Sequence, residues 1–176
     1  MKQRCGTAKG YVGVTICDEW NNFENFYQWM LKKKSSCEYV DGWEIDKDVL
    51  QPLVKHKVYS PNTCIFIPNN INCAIVGIDV YSHKPSNCLY WDKNRNKWQV
   101  KLKMYNKTIH LGRFEDKIDG FVAYTNAKIK YIQELIDKEE RLSTNNKDKI
   151  MYCVKTNLNY RLEQLKEVKK CINNID

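Results

Sequence analysis

The first half of the chain contains polar residues that could hold a metal ion or exchange a proton. Asp46 and Asp48 flank Lys47, His56 follows them, and an asparagine-rich segment ends at Asn72. Carboxylate and amide oxygens are the ligands that hard cations such as Mg²⁺ or Mn²⁺ prefer. Histidine is the side chain best suited to exchange a proton near neutral pH. A hairpin that carried the two acidic residues and the asparagines together would therefore present a divalent-cation site.

The same acidic residues also have a purely structural interpretation. Asp46 and Asp48 could cap a turn and pair with Lys47 or Lys57, as carboxylates beside lysines do on many protein surfaces. The spacing of these residues leaves both interpretations open.

Positive charge is concentrated in one segment of the chain. Residues 81–130 carry eleven Lys and Arg residues against four Asp and Glu, whereas residues 1–80 are neutral and residues 131–176 have an excess of one basic residue. Such a concentration is typical of a surface that contacts phosphates. A solvated lysine-rich face without a ligand is the alternative.

The basic segment has the alternation of a half-buried sheet. Trp98, Val100, Leu102 and Met104 alternate with Lys97, Gln99, Lys101 and Lys103. Period-two alternation predicts one buried face and one basic face. Turn residues on either side predict an antiparallel meander with strands near 89–92, 97–104 and 107–113. A helix is predicted from about Glu115, and we expect His110 to be a strand residue beside the core.

Two other segments have helical periodicity. Phe23, Phe26, Tyr27 and Met30 predict an N-terminal helix with a core-facing stripe. Apolar residues also recur every three or four positions from Ile150 to Ile172, which predicts a long amphipathic helix. We expect the second stripe to pack against the helix of 115–139, so a monomer is favoured over a homodimer.

The cysteines and the start of the chain indicate the compartment. None of the eight cysteines forms a Cys-x-x-Cys pair, and the first residues lack the apolar region of a signal peptide. We therefore expect free, structural thiols in a reducing cytoplasm, although a zinc site built from distant cysteines stays open. No apolar run has the length of a membrane span.

The segments YWDKNRNKWQV (90–100), KTIHLGRF (107–114) and AY (123–124) resemble the DNA-binding domain of the Apetala-two or ethylene-response-factor type. The resemblance implies a three-stranded sheet that lies in the DNA major groove, with the following helix packed behind it. By position, the residues facing double-stranded DNA would be Lys93, Arg95, Lys97, Gln99, Lys101 and Lys103.

Upstream of this domain, the segments CDEW (17–20), IDKD (45–48), VYSPNTCIFIP (58–68) and IN (71–72) resemble phage-encoded HNH endonucleases that carry an Apetala-two domain. The resemblance implies a ββα-metal nuclease unit, as in free-standing homing endonucleases. It implies Asp46 and Asn72 as ligands of one divalent metal, Mg²⁺ or Mn²⁺, and it implies no organic cofactor. The compartment implied is the cytoplasm of an infected or element-bearing bacterial host.

The catalytic positions depart from the family pattern. Lys47 stands where a histidine that activates water is expected, and Thr63 replaces an asparagine. A lysine is ordinarily protonated at pH 7 and cannot act as a base. Of the three candidate catalytic residues, Asp46, Lys47 and His56, we therefore expect Lys47 to act as a cation that contacts phosphate or stabilises the transition state. His56 or a metal-bound water would then accept the proton.

The sequence thus predicts an α+β protein with three parts: a degenerate HNH-like unit over 1–80, an Apetala-two-type domain with a three-stranded antiparallel sheet over 81–140, and an amphipathic helix over 141–176. The predicted function is that of a DNA-binding protein of a phage or mobile element, namely a homing-type HNH endonuclease that cuts or nicks DNA. The alternative is a catalytically inactive regulator or counter-defence protein, of the anti-restriction or anti-CRISPR kind, with a host or phage protein as partner.

Overall fold

The computed structural model describes residues 5–6, 11–78 and 88–173, with side chains up to residue 170. Its helices and small sheets confirm the predicted α+β class. The predicted boundary between residues 80 and 81 and the side chain of Ile172 lie outside the described residues.

Short strands in the N-terminal part form two two-stranded sheets. Strand β1 (Thr15–Ile16) runs parallel to β3 (Val58–Tyr59), and β2 (Glu44–Asp46) runs antiparallel to β4 (Ile65–Ile67). Helix α2 (Asn69–Ile75) begins directly after β4. All three residues of β4 are buried, so this strand lies in the core between its partner strand and the rest of the protein.

Helix α1 (Phe23–Ser35) is amphipathic, but the side chains that face the core are only partly the predicted ones. Phe23 is 70% exposed and Tyr27 is 38% exposed, so these two members of the predicted core stripe lie outside the core. The buried ring is Trp20, just before the helix, with the rings of Phe26 and Trp29 at 5.1 and 4.7 Å from it. Because Phe26 and Trp29 define the inward face, Phe23 and Tyr27 lie on the other side.

The basic segment forms the predicted antiparallel sheet. Its strands are β5 (Leu89–Asp92), β6 (Lys97–Met104) and β7 (Lys107–Phe114), in that order, and helix α3 (Lys117–Lys138) follows. The strand ends agree with the predicted ends to within one residue. Alternation and the flanking turn residues together thus predict this sheet.

Local turn chemistry explains where these elements begin and end. Tyr105 and Asn106, between β6 and β7, have φ of 47° and 61°. Two consecutive residues with positive φ are typical of the hairpin turns whose twist matches that of the flanking strands. At the start of α3, the Asp116 carboxylate accepts a hydrogen bond of 2.6 Å from the N–H of Ile118, which caps the helix.

Helix α3 covers one face of the sheet. Val100 and Leu102 of β6 are 0% and 3% exposed on this inner face. A Cβ added at Gly120 would lie 3.0 Å from Val100 and 3.1 Å from Leu89, so glycine permits the close approach of helix and sheet. The opposite face of the sheet is left open.

Helix α4 (Thr144–Asn173) packs against α3, as its apolar stripe predicts. Ile150, Val154 and Leu158 are fully buried, whereas Val168 is 57% exposed. These residues join one hydrophobic core with side chains from the N-terminal part and from the sheet. Within the described residues, no helix combines the length and apolar character needed to cross a bilayer.

The seven cysteines whose side chains are described form no disulfide with one another. Burial raises the pKa of Cys64 and Cys153 to about 12 and that of Cys88 to about 11. These three side chains are therefore neutral core thiols at physiological pH.

Candidate functional site

The open face of the sheet is a continuous polar surface. Residues directly opposite one another on neighbouring strands share a face, so the register assigns the members of this surface. Cross-strand pairing joins Tyr90 to Gln99 and Gln99 to Arg113 in one row. Of the predicted DNA-facing residues, this face carries Lys97, Gln99, Lys101 and Lys103 along β6, while Lys93 and Arg95 lie in the preceding turn.

A β-bulge changes which residues of β7 belong to the open face. Val100 pairs with Gly112, but Lys101 pairs with His110, so Leu111 is the extra residue. The bulge reverses the alternation, because one inserted residue moves the following side chains to the other face. His110 is therefore exposed opposite Lys101, which corrects the expectation that it lies beside the core. The glycine at position 112, with φ of +140°, allows the irregular backbone.

The cations of this face differ in how they are paired. Arg95 and Arg113 share the carboxylate of Asp92 at 3.2 and 3.4 Å. Lys97 contacts Glu115 at 3.4 Å. The Lys97–Glu115 pair is exposed, and exposed pairs contribute little free energy, so a phosphate can replace Glu115 there.

Other lysines of the same surface have no carboxylate partner within the described part of the chain, namely Lys93, Lys101 and Lys103. The Lys101 amine lies 5.7 Å from the centre of the Tyr90 ring. The surface therefore presents accessible cations beside an exposed aromatic ring. Tyr90, His110 and Arg113 were not predicted as members of this face, and only the strand register reveals them.

Asp46 ends β2 and caps the turn that follows. Its carboxylate Oδ1 accepts hydrogen bonds of 2.8 Å from the backbone N–H groups of Asp48 and Val49. Burial raises the pKa of Asp46 to about 6, and the neighbouring charge of Asp48 adds to the increase, while the backbone donors oppose it. This geometry is the turn cap of the structural interpretation.

Asp48 lies between two buried lysines. The Lys47 amine is 3.0 Å from both of its oxygens and the Lys57 amine is 2.7 Å from one of them. Although burial would raise the pKa of Asp48, the two ammonium groups hold it below its ordinary value. The Lys47 amine also lies 5.2 and 5.7 Å from the ring centres of Tyr11 and Tyr59. Lys47 is thus engaged with Asp48 and two tyrosine rings.

His56 and Asn72 are held by other neighbours. The exposed His56 ring lies directly against Gly13, whose φ is +78°. The side-chain amide of Asn72 donates to Glu44, and Asn69 donates to the other oxygen of Glu44 at 2.7 Å. Glu44 was not predicted, although its position two residues before Asp46 on β2 is a signal that could have identified it.

The predicted metal ligands, Asp46 and Asn72, do not form a shared ligand set. One Asp46 oxygen accepts two backbone hydrogen bonds, and the Asn72 amide is paired with Glu44. Among the described residues, no three His, Cys, Asp or Glu side chains lie close enough together to hold a metal ion. In this arrangement Asp46 and Asn72 are therefore each engaged with other neighbours.

The open sheet face and the residues around Asp48 therefore differ in the groups that they offer a ligand. The open sheet face presents exposed cations, whereas the ions around Asp48 are paired with one another. Comparison of the chain with protein-family models, with curated proteins and with solved structures gives no match. The open sheet face is the arrangement that supports a function best.

Proposed function

We propose that the chain is a DNA-binding protein and that the open sheet face contacts the double helix. The observation that carries this proposal is the row of lysines on β6, with Lys101 and Lys103 free of carboxylate partners among the described residues. Neutralisation of phosphates by lysine and arginine releases counterions and supplies most of the affinity of basic proteins for DNA.

The shape of the face supports the same proposal. The B-DNA major groove is about 12 Å wide and admits a two-stranded ribbon, which the long hairpin of β6 and β7 provides. Gln99 lies in the central row between Tyr90 and Arg113, where its amide could hydrogen-bond to a base edge. The lysines and arginines around it would contact the phosphates on either side.

Replacing both Lys101 and Lys103 by glutamine should reduce the slope of log affinity against log salt concentration by about 2, because about one counterion is released per phosphate contact. The slope can be measured by fluorescence anisotropy with a labelled duplex over a salt series. The double variant Lys155→Gln/Lys170→Gln, with exposed lysines of α4, is the matched control and should keep the wild-type slope. An unchanged slope in the folded sheet variant would remove these lysines from the interface.

A second candidate function is DNA cleavage by an HNH-type endonuclease of a phage or mobile element. The order of β2, β4 and α2, with Asp46 at the end of the first strand and Asn72 within the helix, favours it. This is the order that a ββα-metal unit requires. The alternative is a protein that keeps this unit as a scaffold and binds DNA as a regulator or counter-defence factor, with a host or phage protein as partner.

Incubation of supercoiled plasmid with Mg²⁺ or Mn²⁺ distinguishes these two functions. If the wild type nicks the plasmid, Lys47→Arg should retain most activity, whereas His56→Ala and Asp46→Ala should lose it. Full activity of His56→Ala would contradict the assigned proton acceptor. Absence of nicking by wild-type protein that saturates the plasmid would favour the non-cleaving alternative.

A further inference from the structure

A cavity of about 770 Å³ lies between α2, the end of β6 and α3. Strand β5 pairs with β6 only as far as Val100, and the N–H of Lys101 then donates to the carbonyl of Cys88 at 3.0 Å. The cavity is therefore next to an edge of the sheet that β5 does not cover. It is distinct from the turn formed by Asp46 and Asp48.

The lining of this cavity is basic and partly aromatic. Among the described residues that line it there is no Asp or Glu, and four are lysines: Lys101, Lys103, Lys128 and Lys138. The Tyr105 and Tyr131 rings also line it, in edge-to-face contact with centres 5.0 Å apart. The Tyr105 hydroxyl donates to the Glu134 carboxylate at 3.3 Å and accepts from the Lys138 amine, also at 3.3 Å.

Lys128 is the feature that points to a ligand. It is 6% exposed, and its amine has no hydrogen bond or ion pair within the described residues. Among the described residues, the titratable group that acts on the Lys128 pKa is the Cys88 thiol, which is neutral at pH 7 because burial raises its pKa to about 11. Burial lowers the pKa of Lys128 itself to about 8. Burying an ammonium group without a counter-charge is unfavourable, so Lys128 would stabilise an anion bound in the cavity.

We propose that this cavity binds a free nucleotide, with the phosphates on Lys128 and the base against the Tyr105 ring. The volume is in the range of small-molecule sites, which is about 300–1,000 Å³. Phosphate is an anion that a lysine ammonium group recognises, and the Tyr105 ring, which is 49% exposed, offers a flat surface to a ligand ring. The proposal goes beyond DNA binding, because Lys128 is buried behind the sheet and cannot contact a duplex on the open face.

Isothermal titration of the full chain with ATP, inorganic pyrophosphate and adenosine tests this proposal. ATP should bind most tightly, because it alone offers both phosphates and a ring, and pyrophosphate should bind more weakly. Lys128→Met should weaken ATP binding by at least about tenfold, the effect of one charge-assisted hydrogen bond. Lys130→Met, an exposed lysine on the same helix, is the matched control and should bind ATP like the wild type.

Other outcomes of the titration would overturn the proposal. ATP that bound Lys128→Met as well as the wild type would be on the open face, and millimolar ATP without a binding signal would leave the cavity without its assigned ligand. Adenosine binding as tightly as ATP would contradict the phosphate contact.

Chemical labelling of the unaltered protein gives an independent test if Lys128→Met fails to fold. ATP should slow acetylation of Lys128 by acetic anhydride, read by mass spectrometry, more than acetylation of Lys130. Equal protection of the two lysines would contradict the proposal. The DNA-binding slope of Lys128→Met should equal that of the wild type, so failure of the nucleotide site and failure of the DNA interface are distinguishable.

Discussion

Replacing Asp48 by asparagine should lower the free energy of unfolding by about 2 to 3 kcal/mol at pH 7. Removing one partner of a buried ion pair typically costs about 3–5 kcal/mol, because the other charge stays buried. Here two lysine side chains, 4% and 10% exposed, would lose their shared carboxylate. The expected loss is smaller than the full figure because the side chain of Asp48 is itself 36% exposed and partly screened by water. Urea denaturation followed by tryptophan fluorescence measures the change.

The matched control for this variant is Asp41→Asn. Asp41 also pairs with a lysine, Lys34, at 2.9 Å, but both side chains are more than half exposed. Exposed pairs contribute about 0–1 kcal/mol, so this substitution should have a small effect. Equal losses in the two variants would mean that the ions around Asp48 are not held as described.

The stabilising effect of Asp48 should also depend on pH in a defined direction. Its pKa is lower in the folded protein than in the unfolded chain, where it is near 3.9. The folded state therefore binds fewer protons than the unfolded state in that range. The stabilisation is complete above about pH 4 and disappears as the pH falls through the folded-state pKa. The difference between wild type and Asp48→Asn should shrink accordingly in acid.

Replacing Lys128 by methionine should raise the free energy of unfolding by about 2 to 3 kcal/mol at pH 7. Burial lowers the pKa of this lysine from 10.5 to about 8, and each unit corresponds to about 1.4 kcal/mol of disfavoured charge. Methionine keeps a flexible chain of similar length and removes the ammonium group from the core. Urea denaturation at pH 7 measures the gain, and Lys130→Met should change stability by less than about 0.5 kcal/mol.

The pH dependence of this second effect has the same sign as that of Asp48, because folding lowers both pKa values, but it lies in alkaline solution. Between about pH 8 and 10.5 the unfolded chain binds the lysine proton and the folded protein has released it, so stability rises with pH. The destabilisation by Lys128 is full below about pH 8 and is absent above about 10.5. The two proteins should therefore converge in stability near pH 10.5. A methionine variant less stable than the wild type at pH 7 would show that the amine is paired.

The basic sheet is the part of the fold that the sequence predicted best. Strands β5, β6 and β7 and the start of α3 follow from alternation, from the turn at Asn106 and from the cap at Asp116. These signals are local, because a turn and a pleat depend on residues within a few positions of one another. The packing of α4 against α3 also agrees with the prediction. Contact of this sheet with DNA and an HNH-like unit upstream remain predictions.

Two predictions about which side chains face the core are wrong, because the residue that decides each of them lies outside the periodic pattern. The bulge at Leu111 moves His110 onto the open face, although strict alternation would keep it beside the core. Phe23 and Tyr27 satisfy helical spacing, yet Trp20, which precedes the helix, takes the core position. In both cases the residues recur at the predicted spacing. Which of them face the core is decided by a residue outside the pattern, the inserted Leu111 in the strand and Trp20 before the helix.

The sequence by itself thus determined the order of the strands, their ends and the concentration of positive charge. Only the tertiary structure decided that Asp48 lies between Lys47 and Lys57 and that Glu44 pairs with Asn72. It also placed Lys128 in a cavity that residues of α2, a helix distant from Lys128 in the sequence, help to line. The physical reason is that alternation and turns are encoded in adjacent residues. Ion pairs, buried charges and cavities depend on side chains that meet only when distant segments pack together.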